Sequence, residues 1–449
     1  MQCCQGRSGL TPILHPVAPS EAGFNPDGLT RVDQVLRSGL DVVFPAAVLL
    51  VARHGGVIFH RAYGYFDPVT RHRPTQTDSL FDLASLTKLF TVTAFMTLVE
   101  AGRVALDTPV ADVLTDFDGT RAIGPTEDPL TKTLVPADPA FAGQKVNARQ
   151  VTFWHLLTHT SGLAAWRSLY REGENECQER VPLPHQVLAE KRAQRVAAIH
   201  RLVNFAYPPG QRMVYSDLGI ILLGEAIAHL AGVGLATCVR QAVLEPLNLE
   251  RTTFNPLAGG GATRPTITLD QIVPTEFCAW RQRRCIGEVH DENAASLGGV
   301  AGHAGLFSTA WEVAVLGQTY LDGDSYDSTR ILSPETIAEM TRVQVDFGDN
   351  PRGLGSLGFG LMAFLSGGVA DQLSIRVPFL LSAFVLIIAF LLTLKVKEPL
   401  SSPKAKIAFR DWAALCRLAL ASAREATRTM ADQLIALVRQ SRQRATFGA

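Results

Sequence analysis

Residues 81–88 read Phe81-Asp-Leu-Ala-Ser-Leu-Thr-Lys88 and open a long apolar segment. Ser85 and Lys88 are three positions apart, so in a helix both side chains lie on one face, one turn apart. A serine hydroxyl becomes a strong nucleophile when a base takes its proton, and a buried lysine amine can be that base. The stretch therefore predicts acyl transfer with Ser85 as nucleophile. The Ser-x-x-Lys tetrad alone is common in helices, so the sequence around it must decide whether it is catalytic.

Apolar patterns on both sides of this stretch predict a β-hairpin followed mainly by helices. Residues 46–52 read as an apolar strand, residues 54–56 provide the turn, and the return strand begins at Val57. Apolar residues after Ser85 recur at helical spacing as far as Gly102, and a second apolar helix is predicted over 217–231. A hairpin, then helices, then further strands indicate an α+β fold.

Several motifs, in order along the chain, resemble one family of serine hydrolases. The stretch 81–88 is similar to the nucleophile motif of the class C β-lactamase superfamily, which includes penicillin-binding proteins, D-aminopeptidases and esterases. The resemblance implies a β-lactamase/transpeptidase-like fold, with a helical region beside an antiparallel sheet, and a reaction that needs no metal or organic cofactor. Further similar motifs lie at 151–162 (VTFWHLLTHTSG), 208–219 (PPGQRMVYSDLG), 288–293 (EVHDEN) and 302–309 (GHAGLFST).

Tyr215 is the third candidate catalytic residue, and the resemblance assigns it. In the family, the matching tyrosine hydroxyl lies near the serine and the lysine and shares the proton transfers. Two residues later the family usually has asparagine, whereas this chain has Asp217, a candidate substrate-binding residue. A carboxylate at this position stabilises the protonated form of Lys88, which shifts the role of base to Tyr215.

His303 is a second candidate substrate-binding residue. The triplet His-Ala-Gly that begins at His303 has the form of the family's third motif, which borders the serine and completes the oxyanion hole. However, Thr309 and Glu312 form a capping box that opens a new helix, whereas the family's third motif lies later in the chain. We therefore favour the interpretation that the His303 triplet precedes a helix and is not the family's third motif.

Two pairs of potential metal ligands do not have the features of a metal site. His155 and His159 are four positions apart, but no HExxH motif and no third ligand accompany them, so a role in ordering the loop is favoured. Cys278 and Cys285 lack the spacing of a zinc site. Free thiols in a reducing compartment are the simplest interpretation of these cysteines.

The family pattern stops near Gly360, and no His-x-Gly or Lys-Thr-Gly motif follows. The C-terminal strands of the fold are therefore predicted to be missing. Residues 377–394 instead form 18 residues without a charge, the lower bound for a transmembrane helix. Residues 353–370 also lack charges and are rich in glycine. The segment 367–381 resembles part of the major facilitator transporters, and a buried core segment is the alternative.

Charged residues are distributed unevenly along the chain. From Gly353 onward there are 12 basic and 5 acidic residues, against 30 and 37 before it. The predicted organisation is a flexible N-terminus (1–20), a truncated hydrolase domain (21–352), a membrane helical hairpin (353–398) and a basic amphipathic tail (399–449). The basic residues after 394 and the lack of a visible signal peptide predict a membrane-associated protein with a cytoplasmic hydrolase domain. A soluble cytoplasmic protein is the alternative.

These features predict a serine hydrolase that acts on a small molecule or peptide with a carbonyl centre, whether ester, amide or β-lactam. Membrane lipid is the expected partner of the C-terminal segment. Nucleic acid is not expected, since no aromatic residues suited to base recognition accompany the basic residues. Without its last strands the site lacks an oxyanion donor, which typically costs about 10²–10³ in rate, so we expect weak turnover. The rival interpretation is a non-catalytic fusion of a hydrolase fragment and a transporter fragment.

Overall fold

The structure is a computed structural model that describes residues 13–24, 26–41, 43–129, 131–173, 192, 195–197, 199–200, 203–258, 265–323, 325–347 and 351–356. The helices are α1 Pro26–Gly39, α2 Thr87–Glu100, α3 Val110–Val113, α4 Phe153–Leu157, α5 Asp217–Ala231, α6 Leu235–Val239, α7 Glu292–Ser296, α8 Ala310–Asp322 and α9 Pro334–Thr341. The strands are β1 His15–Pro16, β2 Ala46–Arg53, β3 Gly56–Gly64, β4 Phe81–Asp82, β5 Thr120–Ala122, β6 Thr126–Glu127, β7 Leu134–Val135, β8 Lys145–Asn147, β9 Thr253–Phe254, β10 Phe277–Cys278, β11 Arg283–Arg284, β12 Leu306–Ser308, β13 Ser325–Tyr326, β14 Thr329–Arg330, β15 Val345–Asp346 and β16 Pro351–Arg352.

The predicted hairpin is confirmed and belongs to a three-stranded sheet. Strands β2 and β3 pair antiparallel from Ala46–Gly64 to Arg53–Gly56, and β1 pairs parallel with the other edge of β3. Side chains of β2 alternate between two apolar clusters, since Leu49 packs in the cluster on the α1 side and Leu50 packs against the main core. The sheet therefore separates α1 from the helical region, as expected for an α+β fold.

Part of the N-terminal segment lies against the sheet. A flexible terminus was expected for residues 1–20; residues 1–12 lie outside the described residues, and residues 14–17 pack against β3. Leu14 is buried, and the backbone of β1 bonds with the turn and start of β3. The Leu14 N–H also donates to the Tyr326 hydroxyl at 3.2 Å. This packing was not predicted because a two-residue strand has no alternating apolar pattern.

Helix α2 is the central element of the core. Its first ten residues, Thr87 to Met96, are all buried, because α5, α6 and the short 3-10 helix Leu354–Ser356 pack around it. A helix that is apolar on all sides is typical of such a position. Its buried threonines still have partners: Thr91 donates to the carbonyl of Gly302, and the Thr87 hydroxyl accepts from the Leu306 N–H.

The segment before β12 is held close to both α2 and α5. Strand β12 pairs with β4 on one side and β9 on the other, which joins residues 306–308 to the strand just before Ser85. A Cβ atom on Gly302 would lie 2.2 Å from the carbonyl oxygen of Ile220 in α5, so only glycine allows this approach. The glycine thus brings residue 303 within reach of α2.

Helices α5 and α8 begin and end as the sequence indicates, with one correction. Helix α5 covers the predicted 217–231 and stops at Gly232 in the left-handed conformation. Thr309 caps α8 by accepting from the Glu312 N–H at 3.2 Å. The Glu312 carboxylate does not return to the cap; it accepts from the Arg251 N–H and the Thr252 hydroxyl instead. Only half of the predicted capping box is therefore formed.

The described chain ends in a short hairpin against the core. Strands β15 and β16 pair antiparallel, and Leu354 is fully buried. The predicted membrane segments, the transporter-like segment 367–381 and the basic tail lie outside the described residues, apart from 353–356. Within the described residues no single helix is long and apolar enough to cross a membrane. Helix α5 and the segment Leu235–Leu244, bent by 78°, meet that test only as a pair and only by length and composition.

Candidate active site

Ser85 lies at a sharp turn between strand β4 and helix α2. The preceding residue, Ala84, has φ of +44°, a left-handed conformation that costs free energy for a residue with a Cβ. The Ala84 N–H donates to Asp82 Oδ1 at 2.9 Å, which holds the turn. Ser85 is exposed, whereas Lys88, one helical turn later, is buried. The turn thus presents the hydroxyl to solvent at the start of a buried helix.

Lys88 is 2% exposed, and its ammonium is surrounded by oxygen atoms. Nζ donates to Ser85 Oγ at 2.8 Å and to the His303 carbonyl at 3.3 Å, and it lies 2.7 Å from Asp217 Oδ1. Burial by itself lowers the pKa of Lys88, but the Asp217 carboxylate and the Tyr215 side chain outweigh burial and raise the pKa overall. Lys88 therefore stays an ammonium at neutral pH. This is the state expected from an aspartate at position 217, where the family usually has asparagine.

Tyr215 lies directly beside this ammonium. Lys88 Nζ is 4.7 Å from the centre of the Tyr215 ring, and a hydrogen bond to Tyr215 contributes to the raised pKa of Lys88. The Tyr215 ring also lies against His159, with ring centroids 4.7 Å apart. The structure thus brings together Ser85, Lys88, Tyr215 and Asp217, which come from two distant parts of the sequence.

The two histidines weighed as metal ligands have structural partners. His159 accepts from the Ser216 N–H at Nδ1, 3.1 Å away. Burial, with lesser effects from Lys88 and Arg352, lowers the pKa of His159 to about 3, so the imidazole is neutral. The His155 ring bonds to the N–H and hydroxyl of Thr152 and closes the cap of helix α4. Both contacts order the backbone, which agrees with the favoured interpretation.

His303 lies behind Lys88 and is only 1% exposed. Its Nε2 lies 2.8 Å from Asp291 Oδ1, and its carbonyl accepts from Lys88. Burial by itself raises the pKa of Asp291, but His303 and then the Ala294 N–H and Lys88 outweigh burial and lower the pKa overall. The described geometry therefore places the backbone of His303 at the site and its side chain inside the protein.

Asp217, Asp291 and His303 form the cluster most able to hold a cation among the residues the structure describes. Each offers a ligand atom, and these atoms lie within 4.8 Å of one another. Asp217 is paired with Lys88, and Asp291 is paired with His303. The ammonium of Lys88 thus already supplies positive charge to this cluster.

Two residues around the site were not singled out from the sequence. Asp291 caps helix α7 by accepting from the Ala294 N–H at 2.7 Å, and an aspartate just before a short helix is a recognisable capping signal. Asp82 Oδ2 accepts from the His290 N–H at 2.8 Å and ties the turn at Ser85 to the segment before α7. No local pattern predicts this second contact, since it joins residues far apart in the chain.

The fold and this cluster define a protein of the serine hydrolase class. The model of the Beta-lactamase family matches residues 32–376, and the chain therefore belongs to the beta-lactamase family. Both the fold and the family predicted from the ordered motifs are thereby confirmed.

Curated relatives and solved structures agree with this family. An Escherichia coli K12 protein named "Putative D-alanyl-D-alanine carboxypeptidase" is 29% identical over 358 residues, 75% of this chain and 74% of its own. A protein of the same name from Salmonella agona strain SL483 is 27% identical over 351 residues, 74% and 73% of the two chains.

Two solved structures show the same fold. The octameric penicillin-binding protein homologue from Pyrococcus abyssi has a TM-score of 0.51 at 21% identity, over 74% of this chain and 64% of its own. EstCE1, "a hydrolase with promiscuous acyltransferase activity", has a TM-score of 0.50 at 23% identity, over 71% and 77%. Since a fold hosts many reactions, these structures support the architecture and not a substrate.

Proposed function

We propose that this protein cleaves a carbonyl substrate by acyl transfer through Ser85. The observation that carries the proposal is the exposed Ser85 hydroxyl held 2.8 Å from the buried ammonium of Lys88. Substrate can reach the hydroxyl from solvent, while the adjacent charge is fixed in a medium of low dielectric constant, where it acts strongly on the reacting atoms.

In the proposed mechanism, Tyr215 acts as the base and Lys88 as a fixed positive charge. Tyr215 enters this step as a phenolate, and its oxygen accepts the proton of Ser85 while Ser85 Oγ bonds to the carbonyl carbon. The Ser85 N–H stabilises the oxyanion as one half of an oxyanion hole. Tyr215 then returns the proton to the leaving group, and the acyl-enzyme forms. Water attacks the acyl-enzyme by the reverse sequence and frees Ser85.

Asp217 keeps Lys88 in the charged form that this mechanism needs. The ion pair at 2.7 Å joins a lysine that is 2% exposed to a carboxylate whose side chain is 20% exposed. Asp291 and the His303 carbonyl extend the negative environment on the inner side. We assign His303 a positioning role through its backbone, because its side chain is buried.

A peptide amide at a D-amino residue is the substrate class we propose first. It is supported by the names of the curated relatives, which cover about three quarters of both chains. Esters and β-lactams present the same carbonyl centre and are the alternatives. Since no His-x-Gly or Lys-Thr-Gly motif follows Gly360, we propose that turnover is weak.

A three-substrate assay tests the proposal. Wild type, Ser85→Ala and Ser38→Ala are incubated with a peptide ending in D-alanyl-D-alanine, a nitrophenyl ester and a chromogenic β-lactam. Ser38 is an exposed serine on α1 and provides the matched control. We expect an acyl adduct on Ser85 in wild type and Ser38→Ala, with slow release of D-alanine. Folded wild type that forms no adduct with any of them would favour the rival non-catalytic interpretation.

We also propose that the C-terminal segment associates the protein with a membrane and leaves the hydrolase domain in the cytoplasm. The family match ends at residue 376, and the charge-free stretch 377–394 begins at the next residue. Carbonate extraction of the full chain tests this, with Ile387→Arg/Ile388→Arg as the control. Each central arginine costs about 2.5–3.5 kcal/mol in a membrane helix. Complete extraction of wild type would contradict the proposal and favour a soluble protein.

A further inference from the structure

A pair of buried cysteines lies on a hairpin away from Ser85. Strands β10 and β11 pair antiparallel, with Cys278 opposite Arg283, and Cys285 directly follows β11. Cys278 is 3% exposed and Cys285 is fully buried, and both are free thiols. Position 285 is displaced by two residues from the partner of Cys278, so both side chains point to the same face of the hairpin.

The two thiols are hydrogen-bonded to each other. This bond lowers the pKa of Cys278 and raises that of Cys285, so the first thiolate of the pair forms at Cys278. The Cys285 carbonyl accepts from both the N–H and the hydroxyl of Thr275, which fixes the backbone of this residue. A thiolate and a second thiol in contact are the two components of an oxidisable dithiol.

Two charged groups lie near the pair. The almost fully buried Arg281 guanidinium lowers the pKa of both thiols, whereas the Glu288 carboxylate raises the pKa of Cys285. Arg281 also donates to the Val289 carbonyl at 2.8 Å and to the carbonyl of His290. Phe277, the neighbour of Cys278, is 56% exposed, so the hairpin lies at the protein surface. The pair thus lies on a surface hairpin, although both cysteine side chains are buried.

We propose that Cys278 and Cys285 are a redox site that a peroxide converts to an intramolecular disulfide. The Cys278 thiolate attacks one peroxide oxygen, the O–O bond breaks, and a sulfenic acid and water result. The Cys285 thiol then attacks the sulfenic sulfur, the S–S bond forms, and a second water leaves. In total, the two thiols lose two hydrogens and one peroxide is reduced to two waters.

Two hydrogen bonds of the His290 backbone connect the cysteine hairpin to the turn at Ser85. The His290 carbonyl is held by Arg281, and the His290 N–H donates to Asp82 on strand β4. A disulfide closes a loop of residues that contains Arg281 and so fixes the anchor of His290. The redox chemistry itself does not depend on acyl transfer at Ser85.

Peptide mapping of the folded full chain tests the proposal. Reduced protein is treated with hydrogen peroxide, remaining thiols are blocked with N-ethylmaleimide in denaturant, and the sample is digested with trypsin without reductant. Trypsin cleaves after Arg281, Arg283 and Arg284, so the disulfide joins two separate peptides. We expect this linked pair to increase with peroxide and to separate on reduction. Cys238, a buried free cysteine on helix α6, should stay alkylated as the internal control.

Three results would overturn the proposal. Both cysteines could remain fully alkylated after peroxide treatment while circular dichroism shows a folded protein. Cys278 could appear as a sulfinic acid without any linked peptide, or it could be linked mainly to another cysteine. Cys278→Ser and Cys285→Ser should each abolish the linked peptide, and the wild-type measurement decides the question even where a variant does not fold.

Discussion

Helix α2 and strand β2 are both apolar in sequence, yet they are buried very differently. Ten successive residues from Thr87 to Met96 are buried, whereas all eight residues of β2 are only partly buried. Strand β2 is at the edge of the sheet order β1-β3-β2, and no strand pairs with its outer edge among the described residues. The charges of the candidate site thus rest on a fully packed helix, whereas β2 has one unpaired edge among the described residues.

The largest effect is expected for a substitution at Lys88, on the buried helix α2. Lys88→Met keeps the length of the side chain but removes the only charge that pairs with Asp217 in the described structure. We expect the rate of acylation of Ser85 to fall about 10³-fold, at the upper end of the range for a fixed group that stabilises charge in the transition state. Lys132→Met, at a lysine that is 27% exposed, is the control and should stay near the wild-type rate. Equal acylation rates in the two variants would show that Lys88 does not contribute to acylation of Ser85.

Tyr215→Phe tests the proposed base at the same buried site, because it removes the hydroxyl oxygen and keeps the ring. The ring should still pack on His159, so the protein should fold normally. We expect acylation to slow about 10²–10³-fold, because Ser85 loses its proton acceptor. Tyr65→Phe, outside the site, provides the matched control. If Tyr215→Phe acylates at the wild-type rate, the base is another group and the proposed mechanism is wrong.

A pH-dependent loss of stability is expected from the packing around Tyr215. The pKa of His159 is lowered from 6.5 to about 3 in the folded protein, mainly by burial. Between these values the unfolded state binds a proton that the native state does not, so stability falls as pH falls from about 6.5 towards 3. We expect a loss on the order of 4–5 kcal/mol at the acid end that His159→Gln does not show. Urea unfolding of both proteins across this range measures it, and parallel curves would contradict the assignment.

The smallest effect is expected at the open edge. Leu49→Ala on β2 should lower the free energy of unfolding by only about 1 kcal/mol, because the side chain is partly exposed. Phe95→Ala, at a fully buried residue of α2, should lower it by about 3–5 kcal/mol. Urea unfolding gives both values. Similar losses for the two variants would show that β2 is covered as completely as α2.

The elements that follow local patterns could be predicted from the sequence. The hairpin at 46–64, the helix after Ser85 and the helix at 217–231 each have a regular apolar period and a clear stop. Ser85, Lys88, Tyr215 and Asp217 were identified together only through the resemblance, since residues 88 and 217 are not related by any local pattern. Their actual proximity comes from the packing of α2 against α5.

Contacts between distant segments could not be predicted. The partner of His303 is Asp291, and its carbonyl reaches Lys88 because Gly302 allows a close approach to α5. A capping box predicted a bond from Glu312 to the cap, but Thr252 and Arg251 compete for that carboxylate. Side-chain partners depend on tertiary packing, which a sequence period does not encode.

The central claim, that Ser85 is the nucleophile, is tested most directly with a fluorophosphonate probe and mass spectrometry of the labelled protein. The tryptic peptide 72–88, in which the Arg73–Pro74 bond resists cleavage, contains both Ser79 and Ser85, so fragment ions must locate the adduct. We predict one slowly formed adduct on Ser85 that is lost in Ser85→Ala and kept in Ser38→Ala. An adduct that persists in Ser85→Ala, or folded wild type that forms none, would contradict the claim.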